Sequence, residues 1–142
     1  MKVLVVNGPN LQKLGSREPE IYGAFTLSDI EQRLSLIARE NNITIDFFQS
    51  DSEGEIVSRI GKDDFDYLII NPAAYTHTSV AIRDSIAAAR TKAIEVHISN
   101  VYAREDFRKK SLTAPVCVGQ IAGFGILSYV LALEYIIKNE DR

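Results

Sequence analysis

The chain has 142 residues, 46% of them hydrophobic and 25% charged, which is the balance of a folded globular protein. Its net charge of −3, with no basic run longer than RKK at 108–110, excludes a broad electrostatic field for nucleic acid. A single cysteine, Cys117, excludes an internal disulfide and suits a reducing compartment.

The chain opens with KVLVVN at 2–7, a continuous aliphatic run that suits a strand buried on both faces. The run stops at Asn7 and Gly8, too short for a signal-peptide core. An irregular segment, NGPNLQKLGSREPEIYG, then fills 7–23. Connections are usually about 2 to 6 residues, and much longer ones tend to be functional. Pro19 argues against a regular helix within it. Thr26, with Asp29 three residues on, predicts a capped helix carrying Leu27, Ile30, Leu34 and Ile37 on one stripe.

ITIDFF at 43–48 predicts a second strand, and Asp51 or Ser52 a cap for a helix through Ile56 and Ile60. DYLIIN at 66–71 predicts a third strand. Ser79 then caps a helix with Val80, Ile82 and Ile86 turned inward. AIEVHI at 93–98 predicts a fourth strand and APVCVG at 114–119 a weaker fifth. Cys117, between valines in that run, reads as a small buried hydrophobe rather than a nucleophile. GQIAGFG at 119–125 reads as a close-packed helix entry, and a last helix over about 124–138 is apolar on most faces. The apolar stretch at 121–133 is broken by glycines and a serine and falls short of a membrane span. The expectation is a cytoplasmic protein with neither membrane nor nucleic acid as partner.

Strand and helix alternate throughout, which implies right-handed crossovers and a parallel sheet. The predicted fold is therefore α/β: a flavodoxin-like, five-stranded, doubly wound sheet with helices on both faces, forming one domain over 1–142.

Ligands in such sheets bind beyond the carboxyl ends of the strands. Asn7, Gly8, Pro9 and Asn10 follow the first strand, Gln49, Ser50 and Asp51 the second, and Asn71, Pro72 and then His77 the third. His97, Ser99 and Asn100 end the fourth. Both histidines of the chain gather at this edge. Taken singly, each has a bland role: His97 as a satisfied strand-end histidine, His77 as part of a helix cap, Asn71 before Pro72 as a strand terminator. Glu95 is harder to assign to packing, because carboxylates inside parallel strands need a partner. Alternation turns Glu95, His97 and Ser99 to one face, where the carboxylate can orient the imidazole for acid–base work.

No Walker loop, Gly-x-Ser-x-Gly elbow or dinucleotide fingerprint is present. The histidines lack metal-ligand spacing. Lys2 and Lys92 sit at strand starts, the wrong edge for a Schiff base. Arg17 and Tyr22 lie together in the long segment. A tyrosine base at neutral pH requires about 4 kcal/mol of stabilisation of the phenolate, of the kind a guanidinium supplies. A packed ring and a surface arginine are the alternative.

Over nearly its whole length the chain resembles the type II 3-dehydroquinate dehydratases. The matching motifs are NGPNL and REP..YG within 7–23, QSDSE at 49–53, NPAAYTHTSVAIRD at 71–84, EVHISN at 95–100 and RE.FR..S at 104–111. The resemblance implies a lyase that dehydrates 3-dehydroquinate to 3-dehydroshikimate without metal or cofactor. By the same resemblance Tyr22 is the base, Arg17 the cation beside it, and Asn10 the group that orders a water at the enolate oxygen. His97 is the general acid and Glu95 its orienting partner. Asn71, His77, Ile98, Ser99 and Arg108 hold the substrate, and Asp84 is lent to a neighbouring subunit in a dodecamer of trimers. Two other readings stay open at this stage. One is a non-catalytic flavodoxin-like module binding a nucleotide, flavin or phosphorylated signal; the other is a degenerate relative serving as a structural oligomer.

Overall fold

The computed structural model describes residues 1–16 and 18–140. Five strands pair in parallel: β1 (Lys2–Asn7), β2 (Thr44–Gln49), β3 (Tyr67–Asn71), β4 (Lys92–His97) and β5 (Gly119–Ala122), in the order β2-β1-β3-β4-β5. This is the doubly wound, flavodoxin-like order, whose switch point lies between β1 and β3.

Side-chain alternation divides the core into two layers. On one face Val3, Val5, Ile69, Ile94 and Val96 pack under α2 (Leu27–Glu40) and α5 (Leu127–Glu140), which supply Ile30, Leu34, Tyr129, Leu133 and Ile136. On the other, Leu4, Val6, Leu68 and Ile70 meet Ile56 and Ile60 of α3 (Glu53–Gly61) and Ile82 and Ile86 of α4 (Val80–Ala88). The central strands are covered on both sides, which is why they read as unbroken aliphatic runs.

The expected caps form. Thr26 and Asp29 make a reciprocal capping box at α2. Ser52, not Asp51, caps α3 by accepting from the Glu55 N–H, and Ser79 caps α4 by accepting from Ile82. Cys117 packs against the core, and burial pushes its thiol up to about 12, as an inert side chain requires.

Three expectations are corrected. The fifth strand is Gly119–Ala122, so GQIA is strand rather than helix entry, and Ala114–Val116 is a 3₁₀ turn. Pro115 fixes its own φ and donates no hydrogen bond, which suits a turn before the ladder begins. Val80 is 58% exposed, because it lies two residues, or roughly 200°, around the helix from the buried Ile82. Pro19 starts a short helix, α1 (Pro19–Tyr22), instead of preventing one. At the first helical position its missing N–H costs nothing. Among the described residues no helix is long and apolar enough to cross a membrane.

Candidate active site

The carboxyl edge of the sheet is assembled by register. Asn7 pairs with Gln49 on one side and with Asn71 on the other, so polar strand ends stand in a row. The Gly8 N–H donates to the Asn71 carbonyl at 2.8 Å. A Cβ at Gly8 would lie 2.5 Å from the Pro72 carbonyl oxygen, so only glycine lets the two strand exits approach this closely.

Asn10 then takes a left-handed conformation with φ 70°, which asparagine tolerates. Asp51, from the end of β2, holds it: one carboxylate oxygen accepts from the Asn10 N–H at 2.9 Å and the other from Gln12 Nε2 at 3.0 Å. The Asn10 N–H, aided by Gln12 and Gln49, keeps the Asp51 carboxyl below its ordinary range.

Above these exits lies an open cleft bounded by side chains from several strand ends. Asn10, Tyr22, Asn71, His77, His97, Ile98, Ser99 and Arg108 all line it. Glu95 stands immediately behind His97 and is completely buried. Asp84 lies apart, exposed on α4 and paired with Arg83 at 2.7 Å. Arg17 is outside the described residues.

His97 Nε2 donates to Glu95 Oε2 at 3.0 Å, which leaves Nδ1 for the cleft. The carboxylate is saturated with donors. Ser111 Oγ reaches both of its oxygens, at 3.0 and 3.1 Å, and Thr113 Oγ1 and Gln120 Nε2 donate as well. Gln120 arrives through strand register, opposite Glu95 on β5. Burial pushes the Glu95 carboxyl up, but the hydrogen bond and charge of His97, with Thr113 and Gln120, outweigh it and hold the group below the usual carboxylate range. An ionised Glu95 accepts only, so it fixes a proton on His97 Nε2. His77 is set similarly: its Nδ1 donates to the Lys110 carbonyl at 2.7 Å, turning the other nitrogen free for hydrogen bonding at the cleft. Arg108 reaches the cleft with Nε paired to Glu105 at 3.2 Å.

One charged lining residue escaped sequence reasoning. Arg104 carries its guanidinium over the ring of Tyr22, 5.2 Å from the centroid, and its Nη1 reaches Ser99 Oγ at 3.4 Å. The RE.FR..S motif contained it, but nothing local connects it with Tyr22. Among the described residues no three His, Cys, Asp or Glu side chains converge as a metal site. The arrangement offers a phenol under a cation, an imidazole with a fixed proton, and several amide and guanidinium donors. Such a set can move protons at a small polar substrate.

Comparison with known proteins gives consistent results. The sequence model for "Dehydroquinase class II" matches residues 1–137. A 3-dehydroquinate dehydratase of Geotalea daltonii is 56% identical over 141 residues, covering 98% of each chain. One from Campylobacter jejuni is 56% identical over 140 residues, covering 97% of this chain and 88% of its own. The crystal structure of a type II dehydroquinase from Butyrivibrio crossotus superposes with a TM-score of 0.94 at 44% identity, covering 97% of both chains.

Proposed function

The chain belongs to the class II dehydroquinase family and so has that family's activity, the dehydration of 3-dehydroquinate in the shikimate pathway; on that premise we propose how its residues carry the reaction. Tyr22, ionised, takes a proton from the carbon next to the ketone. The electron pair moves onto the ketone oxygen as an enolate, beside which Asn10 orders a water. Collapse of the enolate forms a ring C=C bond and expels the hydroxyl from the adjacent carbon, β to the ketone, and His97 delivers a proton to it from Nδ1. Water and 3-dehydroshikimate leave, and the proton taken by Tyr22 restores His97 over the cycle.

The observation that carries this reading is the buried Glu95–His97 pair in the wall of the cleft that Tyr22 also lines. Glu95 holds the imidazole and stabilises its charged form before transfer. Arg104 and, by resemblance, Arg17 supply positive charge at the phenol. Asn71, His77, Ser99, Arg108 and the backbone at Ile98 bind the substrate's hydroxyls and carboxylate.

We further infer a homo-oligomer, a dodecamer built of trimers, in which Asp84 reaches a neighbouring site. Val80, Phe124, Leu127, Leu131 and Tyr135 leave apolar surface exposed, which favours burial against other copies. Light scattering on the purified protein tests it; a monomer would refute it. The reaction itself is tested by adding 3-dehydroquinate and following the absorbance of the conjugated enone. Turnover is expected, and Tyr22→Phe is expected to abolish it. Full activity in that variant would mean another group is the base.

A further inference from the structure

Tyr129 lies in the first half of α5, in the layer that covers Asn7 and Asn71 rather than the one that Glu95 and His97 face. Its ring is completely buried, and its hydroxyl stands between two strand ends. It donates to Asn7 Oδ1 at 2.6 Å and accepts from Asn71 Nδ2 at 2.9 Å. Asn7 and Asn71 are register partners on either side of the switch point. One hydroxyl therefore ties both strand exits to the helix.

The direction of this chain is set at its far end. The Ala73 backbone N–H can only donate, and it reaches Asn71 Oδ1 at 3.1 Å. Asn71 must then turn its nitrogen to Tyr129. With an N–H arriving, the Tyr129 hydroxyl sends its own proton on to Asn7 Oδ1. Burial pushes the Tyr129 hydroxyl above its ordinary range, so it remains a neutral donor. The far end carries a cost: Asn7 Nδ2 is buried with no hydrogen-bond partner among the described residues. An unmet buried donor is unfavourable, and here it persists because turning Asn7 over would remove the oxygen Tyr129 needs.

We propose that Tyr129 is a positioning residue that anchors the Asn71 amide in the polarity set by the Ala73 N–H, so that Asn71 offers the cleft its second Nδ2 hydrogen and never its oxygen. The group recognised there is an acceptor, a hydroxyl or carboxylate oxygen of the substrate. The proposal rests on the reading of Asn71 as a substrate-binding residue.

Steady-state kinetics on Tyr129→Phe, Asn71→Ala and the double variant test it. Each single change is expected to raise KM about tenfold, the worth of one well-placed hydrogen bond, with kcat little changed. The double variant should be no worse than Asn71→Ala alone, because Tyr129 acts only through Asn71. An unchanged KM in Tyr129→Phe, or an effect that multiplies with that of Asn71→Ala, overturns the proposal and leaves the role of Asn71 intact. An unchanged KM in Asn71→Ala overturns that role and the proposal together. If Tyr129→Phe does not fold, Asn7→Ala removes the acceptor of the same hydroxyl while keeping the ring packed. It is then expected to raise KM in the same direction, and an unchanged KM is the refuting result.

Discussion

Glu95 and His97, two residues apart on β4, are joined by a 3.0 Å hydrogen bond in which the carboxylate has no exposed surface and the imidazole reaches the cleft. Glu95→Gln keeps the shape of this pair and removes its charge. It also places an amide N–H among side chains that already donate. Correctly positioned acid–base groups contribute about 100- to 10,000-fold, so kcat is expected to fall at least about a hundredfold with a small change in KM. A variant with normal kcat would show that the proton on His97 is set by something else.

The same pair makes stability depend on pH. Burial alone would raise the Glu95 carboxyl, but His97, Thr113 and Gln120 hold it low. A lowered carboxyl favours the folded state above its unfolded-chain value of about 4.3, and that contribution is lost as the pH falls through the folded-state value. Asp51, Asp64 and Glu105 are lowered too and act in the same window. The difference between parent and Glu95→Gln isolates one group. The melting-temperature gap between them is expected to narrow as the pH drops from about 5 to about 3. A constant gap would contradict an ionised Glu95.

Arg104 over the Tyr22 ring calls for a kinetic test of its own. A cation on an aromatic face is worth from about 0.5 to about 2 kcal/mol as it loses water. Arg104→Ala is expected to lower kcat/KM about tenfold, and Arg104→Lys less, since ammonium keeps the charge but not the planar stacking. Equal loss in both variants would point to the contact with Ser99 instead.

Gly8 tests the geometry of the switch point. In Gly8→Ala the new methyl would meet Pro72 backbone at 2.5 and 2.7 Å, atoms that cannot rotate aside. Overpacking of this kind costs about 1–3 kcal/mol. The variant is expected to unfold at lower urea and to bind substrate more weakly, because the exits carrying Asn10 and Asn71 are forced apart. Unchanged stability and KM would mean that the exits are looser than their contact implies.

Much of this is legible in the amino-acid sequence. Burial on both faces demanded aliphatic runs in β1 and β3, and the caps at Thr26, at Asp51 or Ser52, and at Ser79 announced their helices a few residues ahead. Period-2 alternation put Glu95 and His97 on one face, and the strand-edge rule collected Asn10, Asn71, His77, His97 and Ser99 of the cleft. The errors had local causes too. At β5 a short, half-buried edge strand full of small residues has no strong apolar period to read.

By itself, then, the sequence determined the order of strands and helices, the caps, the edge at which polar groups gather and the family, because each is written in residue types a few positions apart or in motifs kept in order. Tertiary structure alone decided which distant side chains meet. Arg104 covers Tyr22, Gln120 completes the shell of Glu95, and Tyr129 spans Asn7 and Asn71. Those meetings depend on strand register, on the C-terminal return that lays α5 over β3, β4 and β5, and on the close approach at Gly8. No local pattern encodes them, since the groups come within hydrogen-bonding reach only when the whole sheet has closed.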